Sequence, residues 1–69
     1  MINITKKTLI SGNRIIAEIF ADNLSELLES DKIQGYELTQ GSIAYVISSG
    51  EIYVFGGDRN WYDSDGEKV

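Results

Sequence analysis

Apolar and polar positions alternate along most of this chain, and the alternation predicts strands. Residues 2–10 place Ile2, Ile4, Thr8 and Ile10 on one parity, with Lys6 among them. Lys6 and Lys7 mark this strand as an edge, because charge on an edge discourages pairing with another chain. Ser11-Gly12-Asn13 is a turn signal. A second strand is predicted over residues 14–20, with Ile15, Ala17 and Ile19 on one face and Ile16, Glu18 and Phe20 on the other. Both faces are partly apolar, which fits an inner strand.

The period then changes. Leu24, Leu27 and Leu28 recur at i, i+3 and i+4, a single apolar stripe predicting a short helix over about residues 23–30. Asn23 as N-cap with Glu26 at the third helical position is a variant of the capping box. Two turns of helix do not survive alone in water, so this stripe must cover a sheet face. Within residues 32–40, Gly35 predicts a bend, and Tyr36 and Leu38 share a parity that suits a brief strand or a packed loop.

The clearest pattern lies further on. Residues 43–48 alternate, with Ile43, Tyr45 and Ile47 on one face and Ala44 and Val46 on the other. Ser49-Gly50 reads as a two-residue hairpin loop, and residues 51–55 return. Such a loop sets Ser48 opposite Glu51, Ile47 opposite Ile52, Val46 opposite Tyr53, Tyr45 opposite Val54 and Ala44 opposite Phe55. The last four pairs match apolar with apolar, two on each side of the ribbon. Residues 56–60 form a second turn, and residues 60–62 carry a short last strand at Trp61-Tyr62. Residues 63–69 are polar and are expected to fray.

The predicted fold is α+β and mostly β. It is a small antiparallel sheet of four to five strands with one short helix, in a single domain over residues 1–69. One short helix does not cover two apolar sheet faces. Either the sheet coils into a small barrel-like shape, or its second face meets another subunit.

Composition sharpens that choice. A 69-residue chain builds a thin core, and the burial it achieves nearly cancels the entropy of ordering it. With no Cys there is no disulfide and no thiolate metal site. With no His the commonest metal ligand and general acid–base is missing. Oligomerisation is the staple left by elimination.

The formal net charge is −5, unevenly spread. Residues 1–17 hold Lys6, Lys7 and Arg14 and no acid; residues 18–69 hold eleven acids against three bases, hence −8. Such a surface repels phosphate backbones, so no direct nucleic-acid partner is expected. An acidic face instead suits solubility or a basic partner. If Asp22, Glu26, Glu29 and Asp31 stand in a spaced row, the chain becomes a candidate modulator of a basic host protein by DNA mimicry. No apolar run reaches signal-peptide or membrane-span length, so synthesis in the cytoplasm and no membrane partner are expected.

Candidate chemistry is sparse. Asp63-Ser64-Asp65-Gly66-Glu67 is faintly like a calcium loop, but from Asp63 the Gly falls at the fourth position rather than the sixth. Ser49-Gly50 belongs to the hairpin, and Gly56-Gly57 lacks the strand–turn–helix setting of a phosphate loop. No catalytic residue, metal ligand, cofactor or small-molecule substrate is therefore assigned, and no enzyme activity is expected. Tyr45, Tyr53, Phe55, Trp61 and Tyr62 do cluster, and with Arg59 they form the candidate interface. Sheet packing is the competing reading for Tyr45 and Phe55. Trp61 and Tyr62 are the expected exposed contacts, with Arg59 over Trp61 as a candidate cation–π pair.

Gly41-Ser42-Ile43-Ala44-Tyr45-Val46, then Ser49-Gly50-Glu51-Ile52-Tyr53-Val54-Phe55 and Trp61-Tyr62, resembles the C-terminal halves of small proteins of tailed phages and prophages. Those proteins tend to be encoded among virion structural genes. The resemblance covers the last third of the chain and is a hairpin pattern. It implies a structural or assembly-accessory role in a virion, with copies of itself or other virion proteins as partners. It also implies the virion as a destination. The charged residues beyond Trp61 depart from the pattern.

Overall fold

The computed structural model describes residues 2–28 and 32–69, without the side chain of Lys32. Seven strands and one helix follow in chain order: β1 (Ile2–Ser11), β2 (Arg14–Ala21), α1 (Leu24–Leu28), β3 (Lys32–Ile33), β4 (Tyr36–Leu38), β5 (Ile43–Val46), β6 (Glu51–Phe55) and β7 (Trp61–Tyr62). All strands belong to one sheet ordered β3-β4-β2-β5-β6-β7, with β1 on the other edge of β2. The protein is thus a small, mostly-β domain with one short helix.

The sheet is mixed, which corrects the expected antiparallel sheet of four to five strands. β1 and β2 form an antiparallel hairpin across Gly12-Asn13, and Gly12 takes the positive φ of 55° that the tight turn needs. On its other edge β2 pairs in parallel twice, with β4 at Arg14–Ile15 and with β5 at Glu18–Ala21. Alternation of side chains fixes which face each strand buries, but not which distant strand it lies beside. The antiparallel expectation followed from treating neighbours in sequence as neighbours in the sheet.

Between β4 and β5 the chain detours through residues 39–42, and Ser42 fills the gap. Its hydroxyl accepts the Ala17 amide at 3.1 Å and donates to the Thr39 carbonyl at 3.0 Å. The Thr39 hydroxyl and amide both donate to the Ile15 carbonyl, at 3.0 and 2.9 Å. Side chains thus stand in for the missing ladder bonds along the middle of β2.

The stretch from residue 32 resolves into a β3–β4 hairpin. Gln34 and Gly35, at φ 54° and 84°, have the two positive dihedrals of a type I′ turn. Helix α1 begins as expected: the Glu26 carboxylate accepts the Asn23 amide at 3.0 Å, closing that half of the capping box. The expected last residues of the helix, 29 and 30, lie outside the described residues.

The β5–β6 hairpin forms with the predicted faces but a different register. Ile43 pairs with Val54, Ala44 with Tyr53, Tyr45 with Ile52 and Val46 with Glu51, a shift of two residues. The loop is four residues, 47–50, closed by the Gly50 amide on the Val46 carbonyl at 2.8 Å. The cause is β2. Its end captures the next two amides, Ile47 on the Ala21 carbonyl at 2.9 Å and Ser48 on the Asp22 carbonyl at 3.0 Å, so these residues do not pair with β6. A two-residue slip preserves parity, so every face assignment survives.

Residues 63–69, expected to fray, fold back onto β7. The Asp63 amide donates to the Glu67 carbonyl at 2.8 Å, the Val69 amide to the Trp61 carbonyl at 3.1 Å, and Tyr62 bridges Lys68.

One face of the sheet holds the core. Ile15, Ala17, Ile19 and Ala21 of β2, Ala44 and Val46 of β5, Tyr53 and Phe55 of β6, Leu38, Ile33 and Trp61 are buried there. Leu27 of α1 is buried against them, with Leu24 half-buried beside it, so the helix covers this face. The sheet does not close: among the described residues neither β1 nor β3 pairs with β7.

Candidate interaction surface

The six residues expected to form one interface are divided by the fold. Tyr53, Phe55 and Trp61 point into the core, where the Phe55 and Trp61 rings meet edge to face with centroids 5.0 Å apart. Trp61, expected as an exposed contact, retains only 4% of its accessible surface. The reason is register: Trp61 lies opposite Phe55, and paired residues share a face. The Tyr53 hydroxyl reaches the rim and donates to the Glu51 carboxylate at 2.8 Å, which raises the Tyr53 pKa above its ordinary 10.0.

Arg59 does not stack on Trp61. Its guanidinium lies 5.9 Å from the Phe55 ring and 3.0 Å from a Glu37 carboxylate oxygen. Arg59 has a positive φ of 67°, set in the turn that leads into β7. Tyr62, half-buried, donates to the Asp58 carboxylate across the same turn. That bond raises the Tyr62 pKa and lowers the Asp58 pKa. Gly56 permits this contact, since a Cβ there would meet the Tyr62 ring at 2.8 Å.

Tyr45 stands half-exposed on the opposite face of the sheet, and the half-buried Tyr62, paired with Val54, lies on that side too. The Tyr45 ring lies 5.6 Å from Phe20, a residue the aromatic cluster in the sequence did not include. Around this pair are Ile16 of β2, Ile43 of β5, and Ile52 and Val54 of β6, all substantially exposed. Phe20 keeps 45% and Ile52 51% of their accessible surface. The signal was in the sequence: β2 and the β5–β6 hairpin are apolar on both parities. What the sequence lacked was the parallel β2–β5 pairing, which brings those two second faces together.

The acids are dispersed. Glu37 holds Arg59, Glu51 accepts from Tyr53 and Asp58 accepts from Tyr62, each on a different partner. The Asp63 carboxylate closes its own turn, accepting the Asp65 and Glu67 amides at 2.9 Å each. Of the row imagined for a DNA mimic, Glu29 and Asp31 lie outside the described residues. A shallow cleft of about 320 Å³ runs beside Arg14, Thr39, Gln40, Gly57 and Arg59 and is open to solvent. Among the described residues no helix is long and apolar enough to cross a membrane.

The arrangement defines a mixed-sheet domain with one covered and one open apolar face. No protein-family model, curated protein or solved structure matches this chain.

Proposed function

We propose that the protein is a non-enzymatic, self-associating β module, acting as a structural or assembly-accessory component of a tailed-phage or prophage virion. The observation that carries the self-associating part is the second sheet face, which α1 does not cover and which presents large apolar side chains to solvent. The largest apolar patch on a protein surface is often functional, and an unpartnered apolar sheet face is such a patch. The virion setting rests on the resemblance of residues 41–55 and 61–62 to small phage proteins.

The test is the molar mass in solution by light scattering, over a concentration series reaching about 200 μM, which spans micromolar association. A mass rising to a defined multiple of 7.7 kDa is expected. A strictly monomeric chain across the series overturns the reading and returns attention to the acidic surface and a basic host partner. For the virion setting, mass spectrometry of purified particles should recover the chain.

A further inference from the structure

We infer that the open sheet face is a two-fold interface on which a second copy of this chain packs, sheet against sheet, around Phe20, Tyr45 and Ile52. The inference deepens the self-association proposed above and rests on it.

Three observations point to this face and this occupant. The first is the pairing itself. All-parallel sheets are covered on both faces, and strands covered on both faces read as near-continuous apolar runs rather than alternating ones. The β2–β5 pair is parallel, and β2 (Ile15, Ile16, Ala17, Ile19, Phe20, Ala21) and β5 (Ile43 to Val46) are such runs. Yet only one face is covered within the chain. The second face of this pair carries Phe20, Ile43 and Tyr45 in the open.

Charge is the second observation. The chain as a whole carries −5, so two copies repel at most of their surface. The open face is different. Pairing and parity place Lys6, Arg14 and Glu18 of β1 and β2 on this side, with Glu37 of β4 beside Arg14 and ion-paired to Arg59, and Lys6 lies 4.0 Å from Glu18. The face therefore has no net negative charge, and two copies meet there without the repulsion they meet elsewhere. A basic partner would be drawn to the acidic surfaces instead.

Area is the third. Six side chains of this size, about two-fifths to one-half exposed, present on the order of 400–500 Å² of apolar surface. Two copies packed on it remove about twice that plus a polar rim, which reaches the ~1,000 Å² of a specific interface. The same patch serves both copies, as a two-fold axis requires. The competing surface, the outer edge of β1, is defended. It carries Lys6 and Lys7 and has irregularities between Ile4 and Lys6 and between Leu9 and Ser11, devices that keep edges unpaired.

The experiment compares light-scattering masses of the wild type, Phe20→Lys, Ile52→Lys and Leu9→Lys at about 100 μM, within the micromolar range of such contacts. Circular dichroism melts establish that each variant is folded. Two independent variants on the open face guard against one of them failing to fold. The expected result is a wild-type mass of twice 7.7 kDa that falls to the monomer value in both open-face variants and is unchanged in Leu9→Lys. An oligomeric wild type whose folded Phe20→Lys and Ile52→Lys variants keep their mass overturns this interface and leaves the self-association reading intact. Loss of mass in Leu9→Lys alone would assign the contact to the β1 edge. A monomeric wild type removes both readings.

Discussion

The Ser42 hydroxyl accepts the Ala17 amide at 3.1 Å, and this one bond bridges the place where β2 has no strand beside it on its parallel edge, between β4 and β5. Ser42 is fully buried, and its hydroxyl also donates to the Thr39 carbonyl. It is the only buried polar residue among the described residues. Ser42→Ala leaves the Ala17 amide and the Thr39 carbonyl without this partner in the core. The expected loss is about 1–3 kcal/mol, the usual desolvation penalty of a stranded buried group. Urea unfolding followed by circular dichroism reads it as a lower midpoint at unchanged slope.

Trp61→Ala and Phe55→Ala are expected to act on stability before they act on any contact. Both rings are buried and touch each other, and removing such a ring costs about 3–5 kcal/mol. For a domain of this size each kcal/mol lowers the melting temperature by roughly 4–8 °C. Both variants should therefore melt roughly 12–40 °C below the wild type. A Trp61→Ala variant that melts with the wild type would contradict its place in the core.

Alkaline pH should destabilise the fold. The Glu51 and Asp58 carboxylates accept from Tyr53 and Tyr62 and hold both hydroxyls protonated above their ordinary value of 10.0. In the unfolded chain both tyrosines lose their protons near that value. Between the unfolded and folded values the native state holds more protons, so stability is fully present below pH 10 and falls as pH rises further. Urea midpoints at about pH 8 and pH 11, bracketing the free tyrosine value, should decline in the wild type. The decline should be shallower in Tyr53→Phe.

The β5–β6 loop gives a backbone prediction. Gly50 sits at φ 70°, and an added Cβ would meet nothing closer than the Tyr45 hydroxyl at 3.7 Å. Space is therefore not the obstacle; the left-handed conformation is. Gly50→Ala should cost about 1–2 kcal/mol, and Gly50→Asn less, because Asn tolerates this region. Equal melting temperatures for the two variants would refute the assignment of this dihedral.

Strand positions were legible in the alternation of residues 2–10, 14–20, 43–48 and 51–55, because period 2 is a local property, and so were the faces of the last three. In β1 the expected single face fails: the irregularity after Ile4 leaves Ile2 and Ile4 on the core face and turns Lys6 and Thr8 to the open one. The helix start was legible in Asn23 and Glu26 for the same reason. Pairing was not, since Glu18 finds Ile43 only after the chain has passed through α1, β3 and β4. The hairpin register failed on that same contact: Ala21 and Asp22 claim the amides of Ile47 and Ser48, which the local pattern had given to β6. The aromatic cluster near Trp61 was real in sequence and misleading in space. Register turned Tyr53, Phe55 and Trp61 inward, and Phe20 took a place beside Tyr45 that no local motif marked.

The parallel contact between β2 and β5 also sets how this chain must fold. Apart from the parallel contact of β4 with the start of β2, everything else in the sheet is hairpin work between near neighbours: β1 with β2, β3 with β4, β5 with β6 and β6 with β7. Each hairpin closes a short loop and forms on the microsecond scale, roughly 1–10 μs. The two halves then join along a seam at Glu18–Ala21 and Ile43–Val46, together with β4 on the start of β2. That joining must close the long connection before any seam bond repays it, so it is the slow, rate-setting event. The chain is in effect two small meanders zipped along one line, and a substitution on that line should slow folding while one in a turn mainly hastens unfolding.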